Sequence, residues 1–154
     1  MTTRLQILIG LVMLLLGGII YLLFRPTTLL LFHTLDLVGL MPLVTDCRTL
    51  VATCQPSEFV VYSLPGGLWA TSYILLVVSL LERAMRWQRM IVASIIPLAG
   101  ICSELMQQAG LLPGVFDTAD LVCYAVPLII LNMYIIIKNL SIWQVSLTAS
   151  TASN

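Results

Sequence analysis

The stretch "SELMQQAGLLPGVFDTAD", residues 103–120, connects two strongly apolar runs and decides how the chain folds back on itself. Gly110, Pro113 and Gly114 predict a tight turn in its middle, because glycine and proline interrupt helices. Two helices joined by so short a turn are antiparallel neighbours. The stretch also carries three of the chain's seven acidic residues, Glu104, Asp117 and Asp120. The sequence therefore predicts a helical hairpin with three carboxyl groups gathered at one end.

The composition of the chain argues against a water-soluble globular protein. Of its 154 residues, 60% are hydrophobic and only 9% are charged, whereas globular proteins carry roughly 25% charged residues. We therefore predict an all-α protein, an integral membrane helical bundle that forms a single domain over residues 1–138. The net charge is zero and no basic tail or stripe is present, which argues against a nucleic-acid partner.

Four apolar runs approach the roughly 20 residues that a helix needs to cross a bilayer. They predict transmembrane helices at residues 5–24, 62–81, 90–107 and 119–137. Residues 25–61 form a segment between the first two spans, and residues 139–154 form a C-terminal tail.

The orientation of these spans follows from the basic loop "ERAMRWQR". It holds Arg83, Arg86 and Arg89, three of the chain's seven basic residues. Cytoplasmic loops are enriched in arginine and lysine, so we place this loop in the cytoplasm. Both termini, with the tail, are then cytoplasmic, and residues 25–61 and 108–118 face the outer side of the cell membrane.

Residues 27–41 of this outer segment predict one further helix. Thr27 or Thr28 can cap its N-terminus, and Gly39 and Pro42 end it. A full crossing by this helix would export the arginine loop, so we expect an interfacial or re-entrant helix on the outer side. A fifth span is the alternative.

Two polar pairs lie in the outer segment. Cys47 and Cys54 are close in sequence on an oxidising side of the membrane, and we expect them to form a disulfide. His33 and Asp36 share a helical face and are candidate ligand-binding residues; they form either an acid–base pair or the wet side of an interfacial helix. Since the chain has one histidine and no C-x-x-C motif, we predict no metal site, and we predict no cofactor.

The sequence "YSLPGGLW", residues 62–69, opens the second span. Pro65 suits a first helical turn, and the aromatic residues at its two ends suit a membrane interface. Gly66 and Gly67 either allow close backbone approach or leave room for a ligand beside the acidic stretch.

Glu104 is the acidic residue that a purely structural role explains least. An ionised carboxylate facing lipid costs about 2.5–3.5 kcal/mol at the centre of a bilayer, so Glu104 should face the bundle interior. Asp117 is a good N-cap, and Asp120 has the spacing of a capping box. Because the turn is short, both aspartates also lie at the same depth in the membrane as Glu104. The candidate ligand-binding residues here are Glu104, Gln107, Gln108, Asp117 and Asp120.

The order Glu-Leu-Met-Gln, then a short turn, then Asp-x-x-Asp at the start of a membrane helix resembles the VanZ-like membrane proteins. Four residues match that family's pattern in type and order: Glu104, Gln107, Asp117 and Asp120. Three depart from it, standing where the family has Arg, Asn and Gly: Gly114, Tyr124 and Pro127. The resemblance implies a small helical protein of the cell envelope, linked in some members to glycopeptide antibiotic resistance, and it names no reaction.

Three functions fit these observations. The first is a cell-envelope protein whose outer-leaflet acidic pocket binds a membrane lipid or a lipid-linked or cell-wall-related ligand, with or without catalysis. The second is a non-enzymatic subunit or assembly factor of a membrane complex. The third is a small transporter that gathers enough spans by forming a homo-oligomer. We take the first as the leading prediction.

Overall fold

A computed structural model describes residues 2–133, and every regular element within them is helical. The six helices of the described chain are α1 (Thr3–Phe24), α2 (Leu30–Leu37), α3 (Met41–Leu50), α4 (Phe59–Leu80), α5 (Arg86–Gln108) and α6 (Thr118–Met133). The first turn of α4, Phe59–Ser63, is π-helical. The predicted all-α class is therefore confirmed.

Three of these helices, α1, α4 and α5, are long and apolar enough to cross a membrane. The number rises to four if α2 and α3, which meet at a bend of 120°, are counted as one broken span. The three long helices match the predicted spans at 5–24, 62–81 and 90–107 to within a few residues. The apolar helix α6 covers most of the predicted span at 119–137, whose last residues, like the predicted tail, lie outside the described chain. The architecture fits a multi-pass membrane protein.

The segment between α1 and α4 differs from the single helix that the sequence predicts. Helix α2 begins after Leu29 without a side-chain cap, so the predicted cap at Thr27 or Thr28 is wrong. Gly39 has a φ of 74° and ends the first helix, as predicted. Pro42, however, lies in the first turn of α3 and starts a second helix, because the missing N–H of a proline costs nothing at that position.

Helices α1 and α4 pack closely along their whole length and run antiparallel. Gly10 and Gly17 are the buried residues of α1. A Cβ atom on Gly17 would lie 2.6 Å from Trp69 Nε1, and Ser72 Oγ donates a 2.7 Å hydrogen bond to Gly10 O. Small residues allow this approach, as is common where helices pack in membranes. We call the contact formed by Gly10, Gly17, Trp69, Ser72 and Ser79 the α1–α4 seam.

The other side of α4 packs against α5 and α6. Tyr73 on α4 donates a hydrogen bond of 2.7 Å to Val92 O on α5. Ile74, Ala93 and Leu131, one from each of the three helices, form a buried apolar cluster. Helix α4 is thus the centre of the bundle. The C-termini of α1 and α5 and the N-termini of α4 and α6 meet at one end, which we call the loop end.

Candidate functional site

Glu104 lies one turn before the end of α5 and faces the bundle interior. Only 6% of its surface is exposed. Its Oε2 atom accepts a hydrogen bond of 3.2 Å from the backbone N–H of Asp117, at the start of α6. The predicted inward orientation of Glu104 is therefore confirmed, and its carboxylate joins the two helices of the hairpin.

The turn between α5 and α6 has the geometry that its glycines predict. Gly110 has a φ of 71°, and Leu111 N–H donates to Met106 O at 2.8 Å, which is a Schellman ending. Gly114 has a φ of 143°, and a Cβ atom there would lie 2.7 Å from the side-chain amide of Gln107. Any side chain at position 114 would have to displace that amide.

Asp117 is the N-cap of α6, as predicted. Its Oδ1 atom accepts a hydrogen bond of 2.8 Å from Ala119 N–H. In a capping box, Asp120 would accept a hydrogen bond from the N–H of Asp117. Here Glu104 accepts that hydrogen bond instead. Asp120 Oδ1 is buried and has no hydrogen-bond partner in the described chain. The predicted capping box is therefore wrong, and Glu104 takes the place that Asp120 would have in it.

Tyr124 lies one turn beyond Asp120 and fills the space between α4 and α5. A Cβ atom on Gly66 would lie 2.9 Å from its hydroxyl, and one on Gly100 would lie 2.7 Å from its ring. The neighbouring Cys123 fills the space at Gly67 in the same way. The glycine pair therefore serves helix packing, and the expected room for a ligand beside it is occupied by side chains.

Arg25 joins this end of the bundle although it directly follows α1 and is far from the acidic stretch in sequence. Its Cζ atom lies 4.7 Å from the ring centre of Tyr62 and 5.6 Å from that of Tyr21. Its Nη2 atom donates a hydrogen bond of 2.8 Å to Tyr62 O, while its Nε atom is buried without a partner in the described chain. Aromatic faces and a carbonyl thus hold the half-buried guanidinium against the start of α4.

Three charged groups lie with Tyr124 at the loop end of the bundle, on three different helices or their ends: Arg25, Glu104 and Asp120. We call these four residues the polar cluster. Sequence analysis missed Arg25 because it looks like the basic flank of a span. The available signal was its position, since the predicted topology puts this arginine on the outer side, against the positive-inside tendency.

Arg48 of α3 fixes the chain around Arg25. Its Nη1 atom donates to Leu22 O and its Nη2 atom to Arg25 O, both at 2.9 Å. These carbonyls lie at the C-terminus of α1, where a cation also interacts favourably with the helix dipole. The missed helix α3 therefore has a role at this end, because it carries the cation that caps α1.

The remaining predicted site residues lie outside the polar cluster. His33 and Asp36 are both exposed on α2. Gln107 covers Gly114 and has a long contact of 3.5 Å to Ser103 Oγ, and Gln108 is exposed at the end of α5.

The predicted disulfide is wrong, because Cys47 and Cys54 are exposed free thiols. Cys47 lies inside α3, and the chain continues beyond Leu50 in turns, with Cys54 N–H bonded to Val51 O.

Comparisons with protein-family models, with curated proteins and with solved structures all find nothing similar. The resemblance to VanZ-like proteins thus rests on the four matching residues alone and stays a prediction. The chemistry of the polar cluster carries the functional argument: it offers two carboxylates as acceptors, a guanidinium as donor and a hydroxyl that can do both.

Proposed function

We propose that this chain is a cell-envelope membrane protein, a divergent relative of the VanZ-like proteins, that binds a lipid-linked or cell-wall-related ligand at the polar cluster. One observation carries the proposal: Arg25 Nε and Asp120 Oδ1 are both buried, and neither has a hydrogen-bond partner within the described residues 2–133. A buried polar atom without a partner costs about 1–3 kcal/mol, and more when it is charged. Such atoms persist where another molecule supplies the missing hydrogen bonds.

Binding and positioning suit this cluster better than proton transfer. The carboxylate of Glu104 is engaged with a backbone N–H, so it holds the start of α6 in place beside the unpaired Asp120. The proposal therefore includes recognition of a ligand and assigns no reaction.

The topology we propose has four spans, α1, α4, α5 and α6, with both termini in the cytoplasm and α2–α3 at or partly within the outer leaflet. This arrangement puts the loop end outside and the exposed basic loop around Arg83 inside. Leu111 and Val115, which are 70% and 88% exposed in the turn after α5, would then lie in the outer leaflet, where apolar side chains are stable.

Cysteine labelling in intact cells tests this topology. In a variant whose four native cysteines are replaced by serine, we expect a cysteine introduced at Gln88 to react with an impermeant reagent only after permeabilisation. A cysteine introduced at Asp36 should react in intact cells. Labelling in the opposite pattern would overturn the orientation.

Ligand capture tests the function. The wild-type protein and Glu104→Gln are purified from membranes in lipid particles, and the lipids that they retain are compared with the bulk membrane. We expect the wild type to enrich one lipid-linked species and Glu104→Gln to lose that enrichment, because the change removes the negative charge that Glu104 contributes to the polar cluster. Glutamine can still accept the N–H of Asp117, so the fold should survive. Glu58→Gln, at an exposed glutamate, is the matched control. Equal lipid profiles for all three proteins would contradict the proposal.

A second function, that of a non-enzymatic subunit or assembly factor, is favoured by one observation. The apolar side chains of Leu111, Leu112 and Val115 are exposed on the turn beside the cluster and offer a surface for a membrane-protein partner or a second copy. Transport has less support, because three polar side chains deeper in the bundle already form hydrogen bonds within the protein. Thr71, Ser72 and Asn132 each donate to a backbone carbonyl.

A further inference from the structure

The half of the bundle away from the loop end holds a crevice of about 290 Å³. Helix α4 lines it with Thr71, Ile74, Leu75 and Val78, which share one face because they are spaced three or four residues apart. The helix rises about 10 Å over this stretch, so the crevice extends along the helix axis. Residues of α6, together with Gln6 of α1, complete the lining.

The lining of the crevice favours an apolar occupant. Two of its side chains are polar, Gln6 and Thr71, and both already form hydrogen bonds within the protein. Gln6 Oε1 accepts from Ser79 Oγ at 3.2 Å, and Thr71 Oγ donates to Gly67 O at 2.8 Å. A bound water needs about two to four polar partners, and a cavity that lacks them stays dry. Water is therefore a poor occupant of this space.

The size of the crevice distinguishes between apolar occupants. A dry cavity of about 150 Å³ is enough to bind benzene, so this space holds on the order of ten carbon atoms. One turn of a helix with its side chains takes up roughly 400–600 Å³, from its pitch and diameter. A helix of a second copy can therefore cover the crevice but cannot enter it. A hydrocarbon chain is thin enough to enter, and in a bilayer it lies in the same direction as the helices.

We infer that this crevice binds one acyl chain of a membrane lipid, which packs along α4 between α1 and α6. Ile74 and Leu131 form its base, with 6% and 5% of their surface exposed, whereas Val126 and Ile130 at its rim are 46% and 61% exposed. The crevice is thus open at the rim, where lipid chains can enter, and closed at the base.

An acyl chain in the crevice improves the packing of the bundle. It supplies the van der Waals contacts that the lining side chains lack when the space is empty. This site is separate from the polar cluster, and its ligand is recognised by shape and by apolar contact alone.

Photocrosslinking tests the site in the full-length protein. The protein is placed in phosphatidylcholine nanodiscs in which part of the lipid carries a diazirine midway along one acyl chain, and mass spectrometry maps the adducts after illumination. Ile129 and Ile130 are a matched pair: they are adjacent on α6 and similarly exposed, at 55% and 61%, and of the two Ile130 lines the crevice. Bulk lipid should label both equally. We expect several-fold more adducts on Ile130, together with adducts on Leu131 at the base.

Filling the crevice should remove this labelling. Val126→Trp and Ile130→Trp each place a large side chain at the rim, and both should lower the adducts on Ile74 and Leu131 several-fold. Ile129→Trp adds the same side chain outside the crevice and should leave them unchanged. Two filling variants keep the test decisive if one of them fails to fold.

Two results would overturn the inference. Equal labelling of Ile129 and Ile130, without adducts on Leu131, would show that lipid covers only the outer surface, whether a second copy or residues 134–154 fill the crevice. Adducts on Leu131 that persist in both filling variants would show that the chain lies elsewhere. Glu104→Gln should label as the wild type does, so failure of the lipid-capture experiment leaves this inference standing, and loss of crevice labelling leaves the proposed function standing.

Discussion

The α1–α4 seam and the polar cluster both place polar groups inside an apolar bundle, but these groups differ in whether they have hydrogen-bond partners. In the seam, Ser72 bonds to Gly10 O at 2.7 Å, and Ser79 bonds to Leu75 O at 2.7 Å. In the polar cluster, Arg25 Nε and Asp120 Oδ1 have no hydrogen-bond partner among residues 2–133. Paired polar groups stabilise helix packing, whereas unpaired ones weaken it. The seam therefore holds the fold together, whereas the cluster is the part of the bundle on which we base the proposed ligand site.

The largest effect that we expect comes from closing the space within the seam. Gly17→Ala would place a Cβ atom 2.6 Å from Trp69 Nε1 and displace the indole from its 3.3 Å hydrogen bond to Leu14 O. Overpacking of this kind costs about 1–3 kcal/mol. Unfolding in detergent should show this loss of stability.

The adjacent glycine is a matched control for this change. A Cβ atom on Gly18 would have no neighbour within 4 Å, so Gly18→Ala should be neutral, or stabilising by up to about 1 kcal/mol through helix propensity. If both variants lose the same stability, close packing at Gly17 is not what stabilises the seam.

A smaller effect is expected at the border of the polar cluster, where Asp117 has a structural role. Asp117→Ala removes the acceptor for Ala119 N–H, and the loss of an N-cap costs typically about 1 kcal/mol. The free energy of unfolding should fall by this amount, while the preference for one lipid in the capture experiment persists. Thr118→Ala, at the next and exposed residue, should change little. Loss of lipid preference in Asp117→Ala would place Asp117 among the ligand-binding residues and contradict its purely structural role.

The features that sequence analysis predicted correctly depend on local signals. Hydropathy located α1, α4 and α5, and the high cost of a carboxylate in lipid predicted that Glu104 faces inward. Gly110 marked the helix ending because a left-handed residue favours glycine, and Asp117 marked the cap. Each of these inferences needs only one apolar run, or residues within about one turn of each other.

The features that it missed depend on longer range or on ambiguous signals. Pro42 was interpreted as the end of a helix, although proline also suits the start of one. Helix α3 was therefore not predicted. The disulfide was predicted from the short spacing of Cys47 and Cys54 and from an oxidising location, and neither signal reports that Cys47 lies within a helix. Arg25 joins Asp120 and Tyr124 only because α1 packs on α4, and no local pattern in the sequence encodes that pairing.

The most direct test of the account compares the stability of Ser72→Ala and Asp120→Asn, measured by unfolding in detergent without added lipid. Ser72→Ala removes a paired hydroxyl from the seam and should lower the free energy of unfolding by about 0.6 kcal/mol, the average for interhelical hydrogen bonds in membranes. Asp120→Asn removes a buried charge that has an unpaired oxygen, so it should leave the stability unchanged or raise it. Loss of stability in Asp120→Asn as large as in Ser72→Ala would show that Asp120 is paired within the protein and would contradict the claim that the cluster is kept for a ligand.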